Sequence, residues 1–256
     1  MKNTVLSFVF LFISGIVSAQ LHKAPAYPLI THDPYFSIWS FNDTLTAAPT
    51  KHWTGAEQPL TGWVWVDKQP FRFMGQNSFP VAQQQEVTIT ATRTSYRFVC
   101  GPVNLTLQFT SPLLLKNRTV LTRPVSYITI TLQSNDGKAH EAQVALGVST
   151  NLCVNKPEQE VTAKKYVTPD GLQVIKAGSV EQPVLQKKGD DLRIDWGYLY
   201  VAAPKAANTT QNISADKDVV INDGSPDPVT GKRLTMGTFL PEIQANTKPQ
   251  EQFIML

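Results

Sequence analysis

The sequence lacks most of the features that mark the common binding classes. It has 2 cysteines among 256 residues and no Cys-x-x-Cys spacing, so it does not predict a structural zinc site. Its 23 basic and 20 acidic residues nearly balance, and no run of Lys and Arg exceeds two residues. Because there is no basic patch, neither nucleic acid nor an anionic membrane surface is expected as a partner.

Common catalytic motifs are also missing. The sequence contains no G-x-S-x-G, H-E-x-x-H, Walker or G-x-G-x-x-G pattern. Ser214 and Lys217 match S-x-x-K, but they lie in a polar stretch that does not predict a shared helical face. One oxygen-rich stretch has the ligand type that Ca²⁺ prefers, although the same residues are typical of turns; it comprises Asp216, Asp218, Asn222, Asp223 and Asp227. We therefore expect no metal, no cofactor and no complete catalytic centre.

One long apolar run stands at the start of the chain. Residues 1–19 combine Lys2, an apolar run from Val5 to Val17 and the small residues Ser18 and Ala19, which is the pattern of a secretory signal peptide. The run is shorter than the about 20 residues that a bilayer span needs. The sequence therefore predicts cleavage near Ala19 and a secreted or periplasmic protein without a membrane anchor.

The two cysteines, Cys100 and Cys153, have two possible states. In an oxidising compartment they could form a disulfide. Cysteine is also one of the most frequently buried residue types, as a small hydrophobic side chain. We favour two buried thiols and keep the disulfide as the alternative.

Short apolar runs separated by turn residues fill the rest of the sequence. Residues 62–66 read as a strand with two tryptophans on one face, and a turn over 67–70 leads into 71–74, which predicts a β-hairpin. Further strands are predicted over 86–91, 96–100, 103–110, 125–133, 142–149, 172–176, 192–195, 198–202, 219–221 and 234–240. No segment keeps a helical period for three turns, so the pattern favours an all-β fold.

The predicted architecture is a large antiparallel β-sandwich, supersandwich-like, preceded by a small aromatic-rich module. We place the signal peptide at 1–19, the N-terminal module at 20–82 and the sandwich module at 83–256. Phe253–Leu256 reads as a strand that has just begun, and a sheet that ended there would leave an unprotected edge. We therefore expect the chain to be the front part of a longer protein.

The stretch Thr31–Trp39 gathers a histidine, an acid and three aromatic residues around a proline. It has neither a helical nor a strand period, so we expect it to lie pinned across a surface built by the rest of the chain. Lys51–Gly55 forms a second cluster of histidine and tryptophan. Together the two stretches supply the candidate substrate-facing or interdomain residues, which are His32, Asp33, Trp39, His52 and Trp53.

Two interpretations of these residues stay open. In the first, His32 and Asp33 act as an oriented acid/base, while Trp39 and Trp53 stack on the apolar face of a ligand. In the second, the aromatic side chains form the core of a small module and the histidines cap backbone groups. The remaining histidines have polar sequence neighbours and are expected to be solvated; they are His22 and His140.

Five stretches together resemble the N-terminal half of the secreted glutaminase A family, and they occur in the same order. The stretches are Thr31–Ser40, His52–Gly55, Phe71–Gly75, Arg123–Tyr127 and Asp195–Gly197. The resemblance covers essentially the whole chain after the leader. It implies modules of the DUF4964 and DUF5127 type, followed in the family by a helical toroid of the six-hairpin glycosidase type that is taken to be catalytic.

The resemblance implies the non-catalytic N-terminal portion of an enzyme that hydrolyses L-glutamine to L-glutamate and ammonia. No catalytic residue is carried over, because the family's helical domain has no counterpart before Leu256. The expected partners are that helical domain and a small-molecule amide or glycan substrate. An alternative stays open, since a fold does not fix a substrate: a β-sandwich accessory module of a carbohydrate-processing enzyme of the six-hairpin glycosidase type.

Overall fold

The computed structural model describes residues 23–206, 208–215 and 227–256, and these are almost entirely antiparallel β-strand. The predicted signal peptide lies outside the described residues, as do His22 and the predicted strand over 219–221. The first strands are β1 (Tyr27–Asp33), β2 (Phe36–Ser40), β3 (Lys51–His52), β4 (Leu60–Val66), β5 (Gln69–Met74), β6 (Gln83–Thr90), β7 (Arg93–Cys100), β8 (Val103–Thr110) and β9 (Tyr127–Ser134). Those that follow are β10 (His140–Ser149), β11 (Val161–Val167), β12 (Leu172–Ser179), β13 (Leu199–Pro204), β14 (Thr210–Ser214), β15 (Val229–Gly231), β16 (Thr235–Phe239), β17 (Ile243–Ala245) and β18 (Gln250–Met255).

Helix is confined to two short pieces in the described residues. The α-helix α1 (Arg118–Leu121) lies between β8 and β9, and a 3₁₀ turn (Thr150–Cys153) follows β10. Neither piece is long or apolar enough to cross a membrane.

The strands form three antiparallel sheets. A nine-stranded sheet has the order β15-β11-β12-β13-β18-β9-β8-β7-β6, and a six-stranded sheet has the order β14-β16-β10-β4-β5, with β17 also pairing with β10. The strands β1, β2 and β3 form a small third sheet. A single large cluster of buried apolar side chains draws on strands of all three sheets, so the predicted all-β sandwich is confirmed.

The alternation predicted for β8 and β9 sets which face of the nine-stranded sheet is buried. Leu105, Leu107 and Phe109 on β8 are buried, and the polar residues between them are more accessible. On β9 the same holds for Ile128 and its apolar neighbours two and four residues on. Since side chains alternate across a strand, one face of this sheet packs into the core and the other faces outward.

The predicted hairpin over 62–74 is present as β4 and β5. Asp67 and Lys68 form its two-residue turn, and both have positive φ, 48° and 69°. Positive φ at both central residues is the mark of a type I′ turn, whose twist matches that of paired strands. β4 also pairs along its whole length with β10, so the hairpin becomes part of the six-stranded sheet.

The predicted boundary near residue 82 falls between β5 and β6. At this point the chain passes from the six-stranded sheet to the nine-stranded sheet. Residues before the boundary nevertheless share a sheet and a core with residues after it. The small three-stranded sheet is the part of the first 82 residues that stands outside the two large sheets.

Two sequence predictions about regular structure are wrong. Thr31–Trp39 contains the end of β1 and most of β2, which pair as a hairpin; register shifts on the β1 side at 28/30 and 31/33 interrupt the alternation, so no period is visible in the sequence. Residues 192–195 form no strand, because the backbone amide of Arg193 binds the Asn155 side chain and that of Ile194 binds the Tyr35 carbonyl oxygen.

The cysteines are free and buried, as favoured from the sequence. Burial raises the pKa of the Cys100 thiol to about 12, and it does the same for Cys153. Both side chains therefore stay protonated thiols at neutral pH and act as small hydrophobic residues.

Leu107→Ala tests the assignment of the two faces of the nine-stranded sheet. Leu107 is fully buried, so the substitution should lower the free energy of unfolding by about 2–5 kcal/mol through lost burial and a residual cavity. The matched control is Thr106→Ala, which removes an outward-facing side chain from the same strand and should change it by about 0.5 kcal/mol or less. Urea unfolding measures both, and equal losses would contradict the assignment.

Candidate functional site

The turn between β1 and β2 is held from within by Asp33. Its Oδ1 accepts hydrogen bonds from the backbone amides of Tyr35, at 2.7 Å, and Phe36, at 3.1 Å. This is an Asx-type turn, in which the carboxylate replaces a backbone acceptor. The arrangement leaves the Tyr35 side chain exposed at the tip of the hairpin.

The Pro34 carbonyl oxygen fixes this turn to the second aromatic cluster. It accepts from His52 Nε2 at 3.0 Å and from Trp53 Nε1 at 2.5 Å. A carbonyl oxygen can only accept, so Nε2 carries the ring hydrogen and Nδ1 is left to accept from the Thr54 hydroxyl, at 3.0 Å. His52 is fully buried, and this burial lowers its pKa, so the ring is neutral near neutral pH.

The remaining sequence-predicted candidates lie in the same small sheet or, for Trp53, in the turn after β3. Trp39 is half-buried on β2, and its Nε1 donates to Ser37 Oγ at 2.7 Å. Trp53 is 47% exposed, with its ring 5.6 Å from that of His52. His32 lies in β1, and its side chain is outside the described part of the chain. The contacts of His52 are those of a histidine that caps a backbone group.

Arg193 joins the Lys51–Gly55 cluster to a loop of the sandwich. Its Nη1 donates to Thr54 Oγ1 at 2.8 Å and its Nε to the Asn155 carbonyl oxygen at 2.8 Å. It also pairs with Asp191. The Arg193 side chain is nearly buried, so these directed donors hold the loop over 182–198 against the Lys51–Gly55 cluster.

The same loop is braced on its other side by Gln182 and Asp195. The Gln182 amide donates to the Gly197 carbonyl oxygen at 3.0 Å and accepts from the Gly197 amide at 2.7 Å, where Gly197 has a φ of 75°. The buried Asp195 carboxylate pairs with Lys187 and accepts from Gln159 at 3.0 Å. Anchored residues therefore lie on both sides of Trp196, and they fix its position in the loop.

An open groove of about 430 Å³ lies next to the hairpin turn. Aromatic and aliphatic side chains form most of its walls, and Asp33 is the single charged residue among those that line it. The apolar members include Phe36, Val125, Trp196, Tyr198, Tyr200, Met255 and Leu256. Tyr198 and Tyr200 are 53% and 42% exposed, and the Lys176 amine lies 3.4 Å from the centre of the Tyr198 ring.

Two smaller cavities continue the groove around the turn. One of about 80 Å³ shares Ile194 and Trp196 with it and is also lined by Tyr35, and one of about 140 Å³ shares Asp33 and Val125. We call the combined surface the Pro34 face; it is formed by residues 33–36, 112–125, 183–200 and 255–256. The loops around it carry exposed apolar side chains, among them Leu113, Leu114, Leu115, Leu121, Val184 and Leu185.

Sequence reasoning singled out the hairpin turn but not the rest of the groove. Trp196, Tyr198 and Val125 belong to the motifs or to the predicted strands, and nothing in the sequence shows that they approach Pro34. The spacing signal that could have pointed to Tyr198 and Tyr200 is their i, i+2 pattern, which places both side chains on one face of a strand.

The described residues contain no group of three or more histidine, cysteine or acidic side chains placed to hold a metal ion. Of the oxygen-rich stretch considered for Ca²⁺, Asp227 is described, and its Oδ1 accepts from the Lys165 amide at 3.0 Å. The other four residues of that stretch lie outside the described residues, as does Lys217 of the S-x-x-K match.

Arg193→Lys tests whether the guanidinium positions the loop over 182–198. Lysine keeps the charge but cannot reach Thr54, Asn155 and Asp191 with a planar fork, so unfolding free energy should fall by about 1–3 kcal/mol. Hydrogen exchange of the loop should rise selectively. The control is Arg97→Lys, in an exposed pair with Glu86, which should cost less than about 1 kcal/mol. Unchanged exchange in the loop would refute the positioning role.

Comparisons with known proteins agree with this picture of the chain. The family model for the domain of unknown function DUF4964 matches residues 14–85, and the one for the domain of unknown function DUF5127 matches residues 92–226. A curated protein named glutaminase A, from Aspergillus oryzae, is 24% identical over 206 residues, which is 77% of this chain and 30% of the relative. The chain thus spans less than a third of that relative's length.

A solved structure titled "Putative kojibiose phosphorylase from human microbiome" aligns with 84% of this chain and 24% of its own, at 8% identity and a TM-score of 0.40. That similarity is too low to bear on function. The DUF5127 match, by contrast, covers more than half of the chain. The chain therefore belongs to the DUF5127 family, and its two matched segments make it a glutaminase A-like N-terminal module.

Proposed function

We propose that this chain is the non-catalytic N-terminal portion of a secreted glutaminase A-like hydrolase. The complete enzyme would hydrolyse L-glutamine to L-glutamate and ammonia. In this proposal the Pro34 face packs against a helical catalytic domain and shapes one side of its substrate pocket. Secretion, to the cell exterior or the periplasm, is part of the same proposal.

The observation that carries the proposal is that most of the stretches that resemble glutaminase A meet at one surface. Of the five that carry the resemblance to glutaminase A, four adjoin the Pro34 face. They are Thr31–Ser40, His52–Gly55, Arg123–Tyr127 and Asp195–Gly197. Stretches whose exposed residues meet at one surface are typical of a functional contact, because the need to fill a core does not account for exposed residues.

The apolar character of the face supports a protein partner. Tyr35 is 52% exposed and Leu115 is 83% exposed, and both lie on loops that border the groove. A contiguous exposed apolar surface marks an interaction site, since leaving it in water costs free energy of about 25 cal/mol per Å². Association with a second domain would remove this surface from water.

The chemistry of the described residues supports a non-catalytic role. His52 has both ring nitrogens bonded to Pro34 and Thr54 and is buried away from the groove. Cys153 lines the groove, but burial raises the pKa of its thiol to about 12, so it is not an activated nucleophile. Asp33 uses Oδ1 to hold the turn. No nucleophile and base lie together among the residues that form the face.

A second function is favoured by the aromatic walls of the groove. Phe36, Trp196, Tyr198 and Tyr200 line it together. Aromatic rings with nearby polar tips suit the apolar faces of sugars as well as protein side chains. In this alternative the chain is a β-sandwich accessory module of a carbohydrate-processing enzyme of the six-hairpin glycosidase type.

The first prediction from the proposal concerns activity. The purified full chain should release no ammonia from L-glutamine above the buffer rate, because it supplies structure to the active site and not the reacting groups. A coupled ammonia assay measures this, with the Aspergillus oryzae glutaminase A as positive control. Turnover comparable to that of the control enzyme would overturn the non-catalytic assignment.

The second prediction separates the two candidate functions. Val125→Glu places a charge in the groove wall and should weaken binding of the separately produced remainder of the Aspergillus oryzae glutaminase A at least about tenfold, equivalent to about 1.4 kcal/mol. Ile89→Glu introduces the same charge at an exposed position on β6, away from the groove, and should leave binding unchanged. Calorimetric titration measures both affinities.

The same titration is run with a set of oligosaccharides. Binding of a glycan that is lost in Trp196→Ala, together with no binding of the protein probe, would favour the carbohydrate-associated function. Protein binding that responds equally to Val125→Glu and Ile89→Glu would show that the groove is not the contact.

A further inference from the structure

His140 stands at a corner of the sandwich where the chain changes sheets. β9 belongs to the nine-stranded sheet and β10 to the six-stranded sheet, and His140 is the first residue of β10. Its polar sequence neighbours predicted a solvated side chain. That prediction is wrong, because the residue is only 9% exposed and both ring nitrogens are occupied by partners distant in sequence or across the turn.

Two carboxylates hold the ring from opposite sides. Nδ1 lies 2.6 Å from Asp67 Oδ2, and Nε2 lies 2.9 Å from Asp136 Oδ1. An ionised carboxylate is an acceptor only, so each ring nitrogen must supply a hydrogen. A neutral imidazole has one N–H, and therefore this geometry is complete only for the imidazolium form.

The carboxylates are themselves fixed to the backbone. Asp67 Oδ1 accepts from the Glu141 amide at 3.1 Å, and Asp136 Oδ1 accepts from the Lys138 amide at 2.9 Å. Asp136 Oδ1 also accepts from the Ser134 hydroxyl at 3.0 Å. Because both acceptors are anchored, they cannot simply turn away when the ring loses a proton.

The cluster connects two turns that belong to different strand pairs. Asp67 is the first residue of the type I′ turn between β4 and β5, and Asp136 lies in the loop between β9 and β10. Next to the ring, the Asp67 amide also bonds the Glu141 carbonyl oxygen of β10, at 2.9 Å. The His140 ring is the side chain that contacts both turns, through Asp67 and through Asp136.

We propose that Asp67, His140 and Asp136 form a proton-dependent clip that closes this corner of the sandwich when the ring is charged and loosens it when the ring is neutral. The proposal is independent of the hydrolase assignment. It concerns the stability and local opening of the module itself, in whatever protein it serves.

The charges around the ring set the direction of the pH dependence. Asp67 and Asp136 are the ionisable groups in contact with it; Lys68, Lys138 and Glu141 nearby are exposed, and β17 presents the uncharged Ala245 opposite His140. The hydrogen bond to Asp136, followed by that to Asp67, raises the pKa of His140 above its ordinary 6.5. The hydrogen bond from His140 lowers the pKa of Asp136 to about 2.

The pKa shifts of His140 and Asp136 set the pH range in which the clip is fully formed. A raised histidine pKa contributes stability that is complete below 6.5 and is lost as pH rises through the folded-state value. A lowered aspartate pKa contributes stability that is complete above 3.8 and is lost as pH falls towards about 2. The clip is therefore complete between about pH 4 and 6.5, and on the alkaline side it opens as pH rises through the raised pKa of His140.

The test uses NMR titration of the full chain. The Cε1–H signal of His140, assigned by its loss in His140→Gln, should titrate above pH 6.5. Asp67→Asn removes one charge and keeps a residue that tolerates positive φ. Both Asp67→Asn and Asp136→Asn should lower the midpoint of the His140 titration. The matched control, Asp170→Asn, removes a charge from an exposed turn residue and should leave the midpoint in place.

Thermal unfolding supplies the second readout. The Tm of the wild type and of Asp170→Asn should fall between pH 6 and pH 9 by more than that of Asp67→Asn or Asp136→Asn, since those variants have already lost part of the clip. A His140 midpoint at or below 6.5 in the wild type would overturn the proposal, and so would parallel Tm profiles in all four proteins. The wild-type titration decides the question even where a variant does not fold.

Discussion

The pairing of β4 with β10 is the constraint on which the rest of the structure depends. The two strands are in register along the whole of β4, from Leu60 opposite Val148 to Val66 opposite Ala142. β4 comes from the first part of the chain and β10 from the middle, so this ladder closes a long loop before its contacts can stabilise anything. Once it forms, the small N-terminal sheet is placed at one end of the sandwich.

The position of that small sheet explains why its histidine, tryptophan and aspartate side chains serve as structure. The Pro34 carbonyl oxygen accepts two ring donors, from His52 and Trp53, and the neighbouring Tyr35 carbonyl accepts from Ile194. These bonds tie the hairpin turn to two other parts of the chain, the His52–Trp53 segment and the loop that contains Ile194. A rigid turn of this kind can present Asp33 and Phe36 to the groove at low entropic cost, because few further groups need to be ordered when a partner binds.

The sequence was a good guide where structure is local and a poor one where it depends on distant partners. The β4–β5 hairpin and the alternation in β8 follow from turn chemistry and from burial of one face, which neighbouring residues determine. Residues 31–39 include parts of two strands that the sequence did not predict, because register shifts interrupt the alternation of apolar and polar residues. β14 was not predicted, because its polar residues Gln211 and Asn212 are buried by pairing with β16. No local sequence pattern indicates that pairing.

The same distinction applies to the candidate residues. The sequence placed His52 beside aromatic rings, and the structure brings it to Pro34 as a neutral histidine that caps a backbone group. It gave no sign that His140 meets Asp67, 73 residues away. Partners so far apart are joined only by the β4–β10 ladder, so no spacing rule could have paired them.

The groove and the His140 cluster lie at opposite ends of β10. The strand begins at His140 and ends at Ser149, after which the 3₁₀ turn leads to Cys153 in the groove wall. Ten residues of strand separate them by roughly 30 Å. β10 is a central strand, bonded to β4 on one side and to β16 and β17 on the other, so it is among the least free to move. Loss of the proton at one end should therefore open the corner locally and leave the groove intact, and a protein partner bound there would be retained while the far end of the module loosens.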